Sequence, residues 1–194
     1  MVIFFSGIFL YIFLFIYMAT VIYLRYFYKK TIAYLLFLTI FFVYIYYLID
    51  LTQFPIYIDD EHRKILGGQN VWREMNFIPF NNGFSMANFY NIIMTIPLGF
   101  AIPFLMKANV KKIFMIGLGT TVTLESLQLL TALYAGYTFR VVDINDIIFN
   151  TLGTLIGYLI FFKAFKYSYN YFIKKLGIND HENIILKHIS ESIS

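Results

Sequence analysis

Apolar runs of membrane-spanning length constrain this chain more than any other feature. A helix advances about 1.5 Å per residue, so crossing a hydrocarbon core of roughly 30 Å takes about 20 apolar residues. Runs of that order occupy residues 2–24, 31–49, 89–106, 113–135 and 144–162. The expected fold is therefore all-α, a polytopic transmembrane helix bundle of about five spans. Only 13% of the residues are charged, against about a quarter in soluble domains. A chain of 194 residues has room for one such domain.

The first run starts beside Met1 with no basic residue before it, and it exceeds the apolar core of a secretory signal. It is expected to be a membrane anchor, ending at the interfacial cluster Arg25-Tyr26-Phe27-Tyr28-Lys29-Lys30. Residues 1–49 thus carry two N-terminal spans. Residues 50–88 form the one long polar connection, holding Asp59-Asp60-Glu61-His62-Arg63-Lys64, Gly67-Gly68, an interfacial Trp72 and Asn76-Phe77-Ile78-Pro79-Phe80. That last segment is too short to cross and is expected on the membrane surface. Pro97, Gly99 and Pro103 predict a kinked third span. Gly153 and Gly157, four residues apart, permit close helix approach on the fifth. In the polar tail, 163–194, Ile185, Ile189 and Ile193 recur at helical spacing and predict a short amphipathic helix.

The net charge of +4 does not point to nucleic acid, because the basic residues lie in short clusters between apolar runs and form no continuous stripe. They read as topology signals. Cytoplasmic placement of the first loop, the third loop and the tail collects Arg25, Lys29 and Lys30, then Lys107, Lys111 and Lys112, then Lys163, Lys166, Lys174, Lys175 and Lys187. Of the 15 Lys and Arg, only Arg63, Lys64, Arg73 and Arg140 fall elsewhere. The N-terminus is expected outside and the C-terminus inside.

An acid at membrane depth costs roughly 3 kcal/mol on insertion scales, which makes Glu125 a functional candidate by default. Gln128 shares its helix face. Glu125 lies about 20 Å from the Lys112 end of the fourth span, in the outer half. On the fifth span Asp143, Asp146, Asn150, Gly153 and Gly157 follow one another at intervals of three or four and line a single stripe. Asn91 on the third span and Asn76 in the loop come to the same face, with Arg140 nearby. The expectation is an outward-facing polar pocket. Plainer readings stand beside it: Asp143 and Asp146 as a helix N-cap and first-turn charge, Glu125, Gln128, Asn91 and Asn150 as interhelical hydrogen-bonding groups, and Arg140 as a contact for lipid phosphate.

Catalytic constellations are thin. Cysteine is absent, His62, His181 and His188 lie outside the spans, and Ser126 points away from the adjacent Glu125. No catalytic residue, metal site or cofactor is expected, although an oxygen-ligated cation at Glu125, Asp143 and Asp146 is chemically conceivable.

Four fragments, Asn76-Phe77-Ile78-Pro79-Phe80, Asn91-Ile92-Ile93-Met94-Thr95-Ile96-Pro97-Leu98-Gly99, Glu125-Ser126-Leu127-Gln128 and Asp143-x-x-Asp146-x-x-x-Asn150-x-x-Gly153-x-x-x-Gly157, together resemble the VanZ-like family of bacterial membrane proteins. The resemblance covers residues 76–162 and leaves the first two spans and the tail outside. It implies a role at the bacterial cell envelope, in the plasma membrane, where the family's namesake is linked to resistance to teicoplanin and related glycopeptides. The leading expectation is a non-catalytic protein whose partners are membrane lipids and a lipid-linked cell-wall precursor or the glycopeptide antibiotic. The alternatives are a membrane-embedded hydrolase or transferase with Glu125 as general base and Arg140 on a phosphate, and a proton-coupled lipid carrier.

Overall fold

The computed structural model describes residues 2–58, 61, 64–65, 70–81, 83–138, 140–179 and 183–193. The sequence features at Asp59-Asp60, His62-Arg63, Gly67-Gly68 and His181 lie outside the described residues. Among those described, five helices are long and apolar enough to cross a membrane, and the protein is a multi-pass α-helical membrane protein. The elements in chain order are β1 (Val2–Ile3), α1 (Ile8–Tyr26), α2 (Ile32–Gln53), β2 (Ile56–Tyr57), α3 (Val71–Glu74), α4 (Met86–Leu105), α5 (Val110–Ala135), α6 (Ile144–Ile156), a π-helical stretch (Gly157–Phe162), α7 (Lys163–Leu176) and α8 (Ile184–Ile193).

Helix starts follow capping side chains rather than the first apolar residue. Thr31, Ser85, Asn109 and Asp143 each accept a hydrogen bond from a backbone N–H in the first turn of α2, α4, α5 and α6, satisfying donors that a helix leaves unpaired. The third and fourth helices therefore begin three residues earlier than hydropathy alone suggests. The second continues past Asp50 to Gln53 instead of stopping at Ile49, because the Gln53 side chain and the Thr52 carbonyl in its last turn find partners on α5. Gln53 Nε2 donates to the Leu124 carbonyl at 3.3 Å and Gln128 Nε2 donates back to the Thr52 carbonyl at 3.2 Å. Gly136, in the left-handed region at φ 77°, closes α5, as glycine commonly does at a helix end.

The centre of the bundle is the contact of α4 with α6. A Cβ added at Gly99 would lie 1.8 Å from the Thr154 carbonyl oxygen, one at Gly153 would lie 2.3 Å from that of Ile92, and one at Gly157 would lie 2.0 Å from that of Ile96. The glycines thus let two backbones approach to a distance that no side chain would permit, which is the packing role expected of the Gly153/Gly157 pair. α4 stays helical through Pro97 and Pro103. α5 joins α6 through Thr154, which sits 3.0 Å from where a Gly117 Cβ would be.

Beyond Ile156 the helix widens into the π stretch and then continues as α7, giving a 33-residue helical run, Ile144–Leu176. At about 1.5 Å per residue it is roughly 50 Å long, so α7 leaves the hydrocarbon carrying Lys163, Lys166, Lys174 and Lys175. α8 folds back beneath the bundle. Its Ile193 is buried with Phe104 and Phe162, and His188 Nε2 lies 2.9 Å from the Phe104 carbonyl oxygen. The predicted tail helix thus packs on the ends of α2 and α4. α1 has no buried residues. It leans on α2, through Tyr17 bonded to Thr39 at 2.8 Å and a set of rings around Phe5, Phe13 and Tyr46.

Candidate functional site

At the end of the bundle opposite α7 and α8, the first turns of α6 are stitched to the loop before α4. Asn76 N–H donates to the Val142 carbonyl at 3.0 Å, and the Asn76 carbonyl accepts from Ile144 N–H at 2.9 Å, an isolated parallel bridge across Asp143. Asn76 Nδ2 donates to Asp143 Oδ1 at 2.9 Å. The same carboxylate caps α6 through Asn145 N–H at 2.8 Å, and Asn145 Oδ1 accepts from Phe80 N–H at 2.9 Å. Asn76-Phe77-Ile78-Pro79-Phe80 is therefore anchored by backbone while Phe77, Ile78 and Phe80 stay exposed, an arrangement that fits a segment lying at the membrane surface. Asp143→Ala removes the cap and the Asn76 bond together and is expected to cost about 1 to 3 kcal/mol. Thermal unfolding in detergent checks this, and Asp143→Asn, which can still cap, is expected to recover most of the loss.

Inside this stitched end a cavity of about 810 Å³ lies between α2, α4, α5 and α6. The volume is in the range of sites that hold small amphiphiles and drug-sized ligands. Six of the residues singled out in the sequence line it: Asn91, Glu125, Gln128, Arg140, Asp146 and Asn150. Asn76 and Asp143 do not. They stand behind the wall and fix it, so for these two residues the structure gives a bracing position rather than a lining one.

Each lining group has a defined setting. Glu125 is 4% exposed, and its Oε2 accepts from Asp143 N–H at 3.3 Å. Asp146, one turn along, accepts from Asn91 Nδ2 at 2.6 Å, which links α6 to α4 across the cavity edge. Asn150 Nδ2 donates to Thr121 Oγ1 at 3.1 Å, and its Oδ1, buried, has no partner among the described residues. Gln128 serves α2 as described. Ser126, exposed, bonds back to the Val122 carbonyl and takes no part in the site.

Arg140 is placed in a way that its sequence position did not suggest. Its Nη1 donates to the carbonyls of Leu51 and Thr52, each at 2.7 Å, and Nη2 to that of Phe54 at 2.9 Å. These are carbonyls at the C-terminus of α2, which a helix leaves unserved and which favour a positive charge. Burial draws the guanidinium pKa below its ordinary value, with Tyr57 acting against that shift. The arginine is a cap for α2, and its planar fork matches a cluster of carbonyls as an ammonium would not.

α2 is the wall that the sequence reading missed. It contributes Tyr44, Tyr47, Leu48, Leu51 and Thr52, and Tyr44 Oη bonds the Met94 carbonyl at 3.1 Å. The signal was present in the spacing of Tyr44, Tyr47, Leu48 and Leu51, which places them on one helix face, but apolar residues in a span look alike until a partner is known. Tyr47, Leu51, Tyr90 and Ile93 line the cavity and are also well exposed on the flank of the bundle. The opening therefore meets the bilayer side as well as the stitched end. On the α4 side Pro97 withholds the N–H that would otherwise serve the Ile93 carbonyl.

Among the described residues no three of His, Cys, Asp and Glu stand close enough to share a metal ion. Glu125 and Asp146 are instead two carboxylates facing one apolar-walled space, a setting suited to recognition of a polar group carried on an apolar body.

Comparison with known proteins adds a family. A family model described as VanZ/LLP1 matches residues 9–166. The match extends beyond the motif-bearing stretch 76–162 and takes in α1 and α2, in keeping with the part α2 plays in the cavity. No curated protein and no solved structure matches the chain.

Proposed function

The chain belongs to the VanZ/LLP1 family, and from that premise we propose that it is a protein of the bacterial plasma membrane that binds an amphipathic ligand in an outward-facing cavity. The ligand classes that fit are a lipid-linked cell-wall precursor and a lipid-bearing glycopeptide of the teicoplanin type, and the role is protection of the envelope against such antibiotics. One observation carries the reading: the cavity joins buried carboxylates and amides at its inner end to apolar residues exposed on the bundle flank. A ligand with its tail in the bilayer and its polar part in the cavity satisfies both. The outward orientation rests on the basic residues, since Lys29, Lys30, Lys107 and the lysines of α7 gather at the opposite end. The arrangement of Arg140 argues against the hydrolase alternative, because the cation that would hold a phosphate is engaged with three carbonyls.

Single cysteines at Tyr47 and Ile93 in the cysteine-free chain test this directly. An impermeant thiol reagent added to intact cells is expected to label both, and added teicoplanin or lipid-linked precursor is expected to slow labelling at least several-fold. Labelling only after the cytoplasmic side is opened would reverse the orientation. Labelling that neither ligand slows would remove these ligands from the proposal.

A further inference from the structure

The hydrogen-bonding balance of the cavity specifies the polar group it takes. Its inner end is rich in acceptors. Glu125 uses Oε2 on one long bond from Asp143 N–H and Asp146 uses Oδ1 on Asn91; among the described residues no protein donor reaches Glu125 Oε1 or Asp146 Oδ2. Asn150, only 3% exposed, lines the same space, and among the described residues its Oδ1 is without a donor. The one Lys or Arg among the lining residues is Arg140, and its guanidinium is turned to the end of α2. Asn150 Oδ1 is, among the described residues, a buried acceptor left unmet, which is costly, and a charged donor is the group that serves two carboxylates and an amide oxygen best.

We propose that the cavity receives a protonated amine carried on an apolar body, with Glu125 and Asp146 meeting the nitrogen, Asn150 Oδ1 accepting from it, and the flank between α2 and α4 holding the chain. This rests on the amphiphile-binding reading above and names the chemistry of its polar part. A phosphate-headed ligand without an amine meets two carboxylates and no free cation, and an alcohol donates one hydrogen where several acceptors wait. The amine can belong to a membrane lipid headgroup or to a free amphiphile, and the two sources are separable by experiment.

The test uses the full chain carrying Ile93→Cys, purified into nanodiscs of phosphatidylglycerol, with the rate of modification by a neutral thiosulfonate as readout. Octylammonium, octanol and octyl phosphate are compared as protectants. Octylammonium is expected to protect at a concentration about ten-fold or more lower than either of the others, the ratio that one charge-assisted hydrogen bond supplies. In the Glu125→Gln background that advantage is expected to shrink to about two- or three-fold while protection by octanol stays as it was. Should that variant not fold, the comparison of the three protectants on the unaltered carboxylates decides alone. Protection in nanodiscs containing phosphatidylethanolamine, without added octylammonium, assigns the amine to the lipid; protection only on adding octylammonium assigns it to a free amphiphile. Equal or better protection by octanol or octyl phosphate would overturn the amine while leaving an amphiphile site. Absence of protection by all three would overturn the amphiphile reading itself.

Discussion

Gly157→Ala is expected to destabilise the bundle by about 3 kcal/mol or more, whereas Gly119→Ala, the same change on a neighbouring helix, is expected to be neutral. The difference lies in what the new methyl meets. At Gly157 it would fall 2.0 Å from the Ile96 carbonyl oxygen and 3.0 Å from Phe100 N, both backbone atoms that move only if α4 moves. At Gly119 there is nothing within 4 Å. Gly117 lies between these cases, since its methyl would meet the Thr154 side chain at 3.0 Å, a group that can give by a few tenths of an ångström. Three alanine substitutions therefore form a graded series, 157 worst, then 117, then 119. Loss of folded protein on titration with a denaturing detergent reads the order directly. A Gly157→Ala protein as resistant as the unaltered chain would mean that α4 and the start of the π-helical stretch after α6 do not approach as closely as the structure has them.

The second large effect is expected at Arg140. Replacement by leucine leaves the carbonyls of Leu51, Thr52 and Phe54 without their shared donor, at a cost of about 3 kcal/mol, since bonds from a charged donor are worth roughly 1.5 to 3 kcal/mol each and water recovers part of the loss. The end of α2 is then free to drift from α5, and α2 forms one wall of the cavity. Arg140→Leu is therefore expected to lower thermal stability and ligand protection at Tyr47→Cys together. Arg140→Lys is expected to recover less than half of the stability, because one ammonium cannot span three carbonyls held in this geometry. If Arg140 served only to hold a ligand phosphate, its loss would reduce ligand protection while leaving thermal stability within about 0.5 kcal/mol.

These two effects differ in how far they could be read from the chain. Gly153 and Gly157 announce a close helix contact by their spacing, yet nothing in the sequence says that the partner is the backbone of Ile92 and Ile96. Arg140 looks like a headgroup or substrate ligand, a basic residue just outside a span beside two acids. Its actual partners lie 86 to 89 positions away, and a carbonyl leaves no mark in a sequence. Asn76 and Asp143 share the pocket's membrane face in the sequence, but a face is wide. Their mutual bond, 67 positions apart, and the bridge beside it make them a brace for the wall.

Hydropathy alone determined the class of fold and the number of long spans, because a bilayer sets one length and one polarity for every helix that crosses it. Helical periodicity determined that Glu125 shares a face with Gln128 and that Asp146 shares one with Asn150, since those relations lie within single helices. Which face meets which depended on packing between elements. The tertiary structure alone decided that α2 closes the cavity, that Gln53 and Gln128 tie α2 to α5 through the carbonyls of Leu124 and Thr52, that Arg140 is occupied and that, among the described residues, Asn150 Oδ1 has no donor. Such pairings arise from contacts between residues distant in the chain, selected by shape and by the need to satisfy each buried polar group, and no local pattern encodes them.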